Sequence, residues 1–67
     1  MMKTEAEVLD FLKPDLDQGE RAEFEYGTLF LKCAEKTSRK VFSNLFMAFN
    51  GKVQIHRVGT EFAIDFV

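Results

Sequence analysis

Four stretches of the chain sort their apolar residues by a regular period, and short polar segments separate them. From Thr4 to Lys13, Val8, Leu9, Phe11 and Leu12 recur at helical spacing with Glu7 and Asp10 opposite. Thr4 and Glu7 have the spacing of a capping box, in which hydroxyl and carboxylate each satisfy a backbone donor. Pro14 disfavours helical geometry at Lys13 and ends the run. Asp15 to Gly19 is then a polar connection.

Arg21 to Ala34 alternates with the period of two that marks strands, and Gly27-Thr28 suits a type II′ hairpin turn with Gly27 at the positive-φ position. That register sets Tyr26 opposite Leu29, Phe24 opposite Leu31 and Ala22 opposite Cys33, all on one side. Glu23 then faces Lys32 on the other side, a favourable cross-strand pair. Phe30 alone is left as an apolar residue on that polar face.

Ser38 to Phe49 reads as a second helix. Val41, Phe42, Leu45, Phe46, Ala48 and Phe49 fill one arc, and Met47 is the single apolar residue on the polar arc. Thr37 is the expected N-cap and Asn50-Gly51 the expected C-cap. The alternative is an α-β-β-β-β meander with residues 40–49 as a strand. Asn-Gly is a strong hairpin dipeptide, and Arg39 and Lys40 oppose the helix dipole. Lys52 to Val67 forms a second hairpin about Gly59-Thr60. Arg57 faces Phe62, Ile55 faces Ile64 and Val53 faces Phe66, while Gln54, His56, Val58, Glu61, Ala63 and Asp65 form the other side.

The fold class is therefore α+β: a small two-layer domain over residues 1–67, order α-β-β-α-β-β, with two amphipathic helices on an antiparallel sheet of two hairpins. A faint echo links the halves, Gly27-Thr28-Leu29-Phe30 with Gly59-Thr60-Glu61-Phe62, and Val8-Leu9 with Val41-Phe42. The buried parity about the two Gly-Thr pairs is opposite, so chance is the better reading than duplication.

Composition sharpens this picture. Eight of 67 residues are phenylalanine, there is no tryptophan, and 46% of the chain is apolar. Phe11, Phe24, Phe42, Phe46, Phe49, Phe62 and Phe66 fall on inward arcs, and Phe30 does not. A domain of this size buries only about 60% of the surface its unfolded chain exposes. Burial against a second copy or another protein would supply the remainder, so a homodimer is one expected state.

Net charge is −2, but residues 1–25 carry eight acids and three bases whereas residues 26–67 carry six bases and three acids. Such a dipolar surface orients charged partners. The single Cys33 excludes an internal disulfide and suits a reducing compartment. Met1-Met2-Lys3 has no apolar stretch behind its basic residue, unlike a signal peptide, and no run approaches the ~20 apolar residues of a membrane helix. The expectation is a soluble, cytoplasmic protein with no membrane association.

Motifs of chemistry are sparse. His56 lies diagonal to Glu61 and Asp65, with no Ser, Cys or further Thr placed to complete a triad. Cys33 sits on the apolar side, where it acts as a small hydrophobe. Asp15-Leu16-Asp17-Gln18-Gly19-Glu20 departs from an EF-hand loop, having Gln18 before its Gly and Tyr26 at the twelfth position. The four glycines are scattered singly, so there is no phosphate-binding loop. No enzyme activity, metal or cofactor is expected.

By elimination the chain reads as a non-enzymatic protein-binding module, a regulator or inhibitor that occludes another protein's surface. Stand-alone chains of this size include phage- and mobile-element-encoded inhibitors of host factors. The expected contact residues are the misplaced apolar ones, Phe30, Met47 and Val58, with Glu23 and Glu25. The alternative is a nucleic-acid binder using the basic turn, Lys32, Lys36, Arg39 and Lys40, extended by Lys52 and Arg57, with Phe30 stacking on a base. A pI of about 5.3 weighs against it.

Overall fold

The computed structural model describes residues 4–67, and the reading of Met1-Met2-Lys3 lies outside them. Its elements are α1 (Glu5–Leu12), a 3-10 turn (Lys13–Asp15), β1 (Arg21–Glu25), β2 (Thr28–Lys32), α2 (Glu35–Ala48), β3 (Val53–Val58) and β4 (Glu61–Phe66). This is the expected α-β-β-α-β-β order. All strand pairs are antiparallel, and the sheet runs β1-β2-β4-β3. The last strand therefore inserts beside β2, leaving β1 and β3 as the edges.

Local chemistry sets the helix ends. The Thr4 hydroxyl accepts from the Glu7 amide at 3.2 Å, and the Glu7 carboxylate accepts from the Thr4 amide at 3.1 Å. This is the expected capping box. α2 begins three residues earlier than its pattern suggests. Its N-cap is Ala34, which has no capping side chain, and Thr37 lies buried in the first turn. The Ser38 hydroxyl donates to the Glu35 carbonyl at 2.6 Å. Residues 40–48 are helical and Phe49 is the C-cap, so the strand alternative is overturned. Val41 and Leu45, one turn apart, are both fully buried while Ser43 between them, which would share their face in a strand, is exposed.

Asn50-Gly51 ends this helix instead of turning a hairpin. Asn50 takes φ 53° and Gly51 φ 77°. The Gly51 amide donates to the Phe46 carbonyl at 2.7 Å and the Asn50 amide to Met47 at 3.4 Å, a Schellman closure. A Cβ on Gly51 would lie 3.3 Å from the Phe46 ring, so conformation and packing both select glycine there.

The first hairpin differs from the expected register. Its turn is Tyr26-Gly27, and both residues have positive φ, 52° and 83°. That is the signature of a type I′ turn, with Gly27 second, not of type II′ with Gly27 first. Phe24 thus pairs with Leu29, Ala22 with Leu31, Glu23 with Phe30 and Arg21 with Lys32. The slip is two residues, so the strand side chains keep their expected faces, but Tyr26, expected opposite Leu29 on the apolar side, is instead a fully exposed turn residue. The second hairpin has the expected pairs, Val53 with Phe66, Ile55 with Ile64 and Arg57 with Phe62. Because Gly27 is second in its turn and Gly59 leads the other, the Gly-Thr echo has no structural counterpart.

Both helices pack on one face of the sheet. The buried cluster joins Val8 and Leu12 of α1, Val41 and Leu45 of α2, and Leu29, Leu31, Val53 and Ile64 of the sheet. No phenylalanine is fully buried. Phe24, Phe42, Phe49, Phe62 and Phe66 are half-buried around this aliphatic centre. Phe42 meets Phe62 edge-on at 5.0 Å, and Phe49 meets Phe66 at 4.8 Å. Phe11 and Phe46 are 39% and 54% exposed, against the inward placement expected of them. Each neighbours a fully buried leucine in sequence, Leu12 or Leu45, and one residue of helix turns a side chain about 100° away from that contact.

Candidate functional site on the uncovered sheet face

With both helices on one side, no described helix covers the other face of the sheet. Strand alternation places there Arg21, Glu23 and Glu25 from β1, and Thr28, Phe30 and Lys32 from β2. β4 adds Glu61, Ala63 and Asp65, and β3 adds Gln54, His56 and Val58. The register lines up Glu23, Phe30, Ala63 and His56 as one row across all four strands. Phe30 is half-buried and stands outside the core cluster, and Ala63 beside it is buried. Around Phe30 lies a depression of about 270 Å3 lined by Arg21, Glu23, Glu25, Lys32 and Glu61.

The charges on this face do not cancel. Four carboxylates (Glu23, Glu25, Glu61, Asp65) meet two fixed cations (Arg21, Lys32). Arg21 Nη1 lies 4.0 Å from Glu23 Oε1, both side chains well exposed. An exposed pair of this kind is worth about 0–1 kcal/mol. Glu25 and Glu61 make no ion pair or side-chain hydrogen bond among the described residues.

Asp65 has neighbours on both sides. Its Oδ1 accepts from the Thr28 hydroxyl at 2.6 Å, and its Oδ2 lies 4.0 Å from His56 Nε2. A threonine therefore approaches the carboxylate of this His–Asp pair and not its imidazole. The order of contacts is wrong for a nucleophilic triad, which needs the hydroxyl on the imidazole and the carboxylate behind it. Here the hydroxyl is bound to the carboxylate, and the line braces β2, β4 and β3 together.

Of the expected contact residues, Glu23, Glu25 and Phe30 come together in the depression. Val58 lies on the same face at the end of edge strand β3, 53% exposed. Met47 does not join them: it is 77% exposed on α2, in the layer on the opposite side of the sheet. Arg21 and Glu61 complete the depression and were not singled out by the sequence. Each is merely polar in its own hairpin, and only the β2–β4 pairing brings Glu61 near Phe30.

The six bases do not form one patch. Lys36, Arg39 and Lys40 occupy the first turns of α2, while Lys52 follows its far end, about 20 Å away at 1.5 Å per residue. The Arg57 guanidinium stacks over Phe62 at 5.0 Å on the helix-covered side. Lys32 points to the uncovered face. Asp15 is engaged by Asn44, whose Nδ2 donates to its Oδ2 at 2.7 Å. Among the described residues no cluster of three His, Cys, Asp or Glu side chains is arranged to hold a metal.

Glu20 joins the loop before β1 to the start of α2. One carboxylate oxygen accepts from the Ala34 amide and the other from the Asp17 amide, both at 2.7 Å. These two donors, chiefly Ala34, hold its pKa below the ordinary 4.5, with smaller help from the Thr37 hydroxyl and Lys36. Cys33 is shifted the other way. Burial, and then the Glu20 charge, push its thiol above the ordinary 9.0, which disfavours the reactive thiolate.

Comparison with protein-family models, curated proteins and solved structures finds no match for this chain. No described helix is long and apolar enough to cross a membrane.

Proposed function

We propose that this chain is a non-enzymatic binding module that regulates or inhibits another protein by covering part of its surface. The observation that carries this reading is the uncovered sheet face with Phe30 at its centre. A half-buried aromatic in a shallow depression, ringed by polar residues, is the usual arrangement of an interface anchor. Glu23, Glu25, Arg21, Lys32 and Glu61 form the rim, and Val58 extends the surface along β3. The Thr28–Asp65–His56 line lacks the hydroxyl-to-imidazole order of a nucleophilic triad, and the depression is lined mostly by exposed charged side chains and not by the apolar walls of a substrate pocket. Scattered bases and a net-acidic face make nucleic acid the weaker reading.

Affinity capture from the native host, with bound proteins identified by mass spectrometry, tests this. Phe30→Glu should lose a protein that the wild type retains, with an unchanged circular dichroism spectrum. Met47→Glu, on the opposite layer, should retain it. Identical capture by wild type and Phe30→Glu sinks the assignment.

A further inference from the structure

We infer that the partner of the uncovered face is a basic protein surface that presents an arginine to Phe30 and its flanking carboxylates. This rests on the reading of that face as the docking site, and it adds the chemistry of the occupant. Phe30 has Glu23 directly across on β1 and Ala63 directly across on β4. Glu25 and Glu61 are diagonal neighbours, about 7–8 Å away. Glu23 and Glu25 stand two residues apart on one strand, so their carboxylates rise from the same face about 7 Å apart. Neither is neutralised internally: Glu25 has no ionic partner among the described residues, and Arg21 reaches Glu23 only at 4.0 Å.

A guanidinium needs two things that this face offers together. Its plane stacks on an aromatic ring, and its fork of N–H donors binds carboxylates bidentately. Phe30 supplies the ring and Glu23 and Glu25 supply the acceptors. A phosphate backbone or an acidic peptide would meet the same four carboxylates as repulsion. A second copy of this chain brings the same acidic excess to the contact.

The test is a titration of the 15N-labelled protein, read by amide chemical shifts, with an alternating arginine–alanine octapeptide. A glutamate–alanine octapeptide and a ten-nucleotide oligothymidylate serve as controls. The arginine peptide should shift amides within residues 21–25, 28–32 and 61–65, weaken with added salt, and lose at least tenfold in affinity in Glu23→Gln/Glu25→Gln. Both sites are exposed, so this variant should melt like the wild type. Phe30→Leu keeps an apolar side chain, and it should also weaken binding. Shifts centred on the acids of α1, undiminished binding by the double variant, or no shifts overturn the inference. Shifts on the same face by the glutamate peptide or the oligonucleotide would keep the docking face and overturn its chemistry. A dimer by light scattering that Phe30→Glu dissociates would make the occupant a second copy. The capture experiment with Phe30→Glu separately decides the docking reading itself.

Discussion

Glu20 ties together two segments that are remote in sequence, the loop at Asp17 and the start of α2 at Ala34. α2 lacks a local capping side chain, and this carboxylate serves its first amide instead. Because the folded pKa lies below the ordinary value, ionised Glu20 favours the native state. That contribution is complete above pH 4.5 and is lost as pH falls through the folded value. Glu20→Gln should therefore lower the melting temperature at pH 7, and the gap from wild type should close on acidification to pH 3. Melts followed by circular dichroism check this, and a gap that persists unchanged at pH 3 contradicts it. A sequence reader sees Glu20 only as one of many acids, since nothing local shows that its partner amide is Ala34. The Thr4–Glu7 capping box, by contrast, was legible because both partners sit within one turn.

At the scale of elements, the first hairpin shows what alternation can and cannot decide. Registers that differ by two residues bury the same side chains, so the pattern of Ala22, Phe24, Leu29 and Leu31 supports both equally. Turn chemistry must arbitrate, and there glycine-first type II′ competes with Tyr26 in an unfavourable left-handed conformation, φ 52°. The structure takes the second, which places Phe30 opposite Glu23 and extends the apolar pairs through Leu31. Tyr26→Asn converts this turn to the preferred Asn-Gly pair and should stabilise the protein by about 0.5–1 kcal/mol in urea denaturation. Tyr26 is fully exposed, so no packing is lost. A type II′ turn at Gly27-Thr28 would put residue 26 in a strand, where asparagine is disfavoured, and the sign would reverse. The same limit explains the helices. The apolar arc of α2 was readable, but which members sit deepest depends on the sheet beneath, and Leu45 rather than Phe46 meets it.

For the whole molecule, the radius of gyration of 10.7 Å is close to the roughly 11 Å expected for a compact chain of this length. Within it, Phe24, Phe42, Phe49, Phe62 and Phe66 pack as a half-buried girdle around an aliphatic centre, while Phe11 and Phe46 stay exposed. The charge asymmetry of the sequence does not map to one side. Its acids are spread over α1, the connection from Asp15 to Glu20, the start of α2 and the uncovered face, and its bases over the 3-10 turn, both ends of α2, β1, β2 and β3. A single-stranded oligonucleotide should accordingly show no salt-dependent binding at 20 mM salt by fluorescence anisotropy. Micromolar affinity falling steeply with salt would restore the nucleic-acid reading. What the sequence determined by itself was the order of helices and strands and the face of most side chains, because hydrophobic period is a local signal; it misplaced Phe11 and Phe46, which are exposed, and Tyr26, which sits in the turn. What only the tertiary structure decided was the neighbour of each strand. The β2–β4 pairing joins residues more than thirty positions apart, through backbone hydrogen bonds that any sequence can make. That pairing turns Phe30 from a misfit on one hairpin into the centre of a four-stranded acidic face.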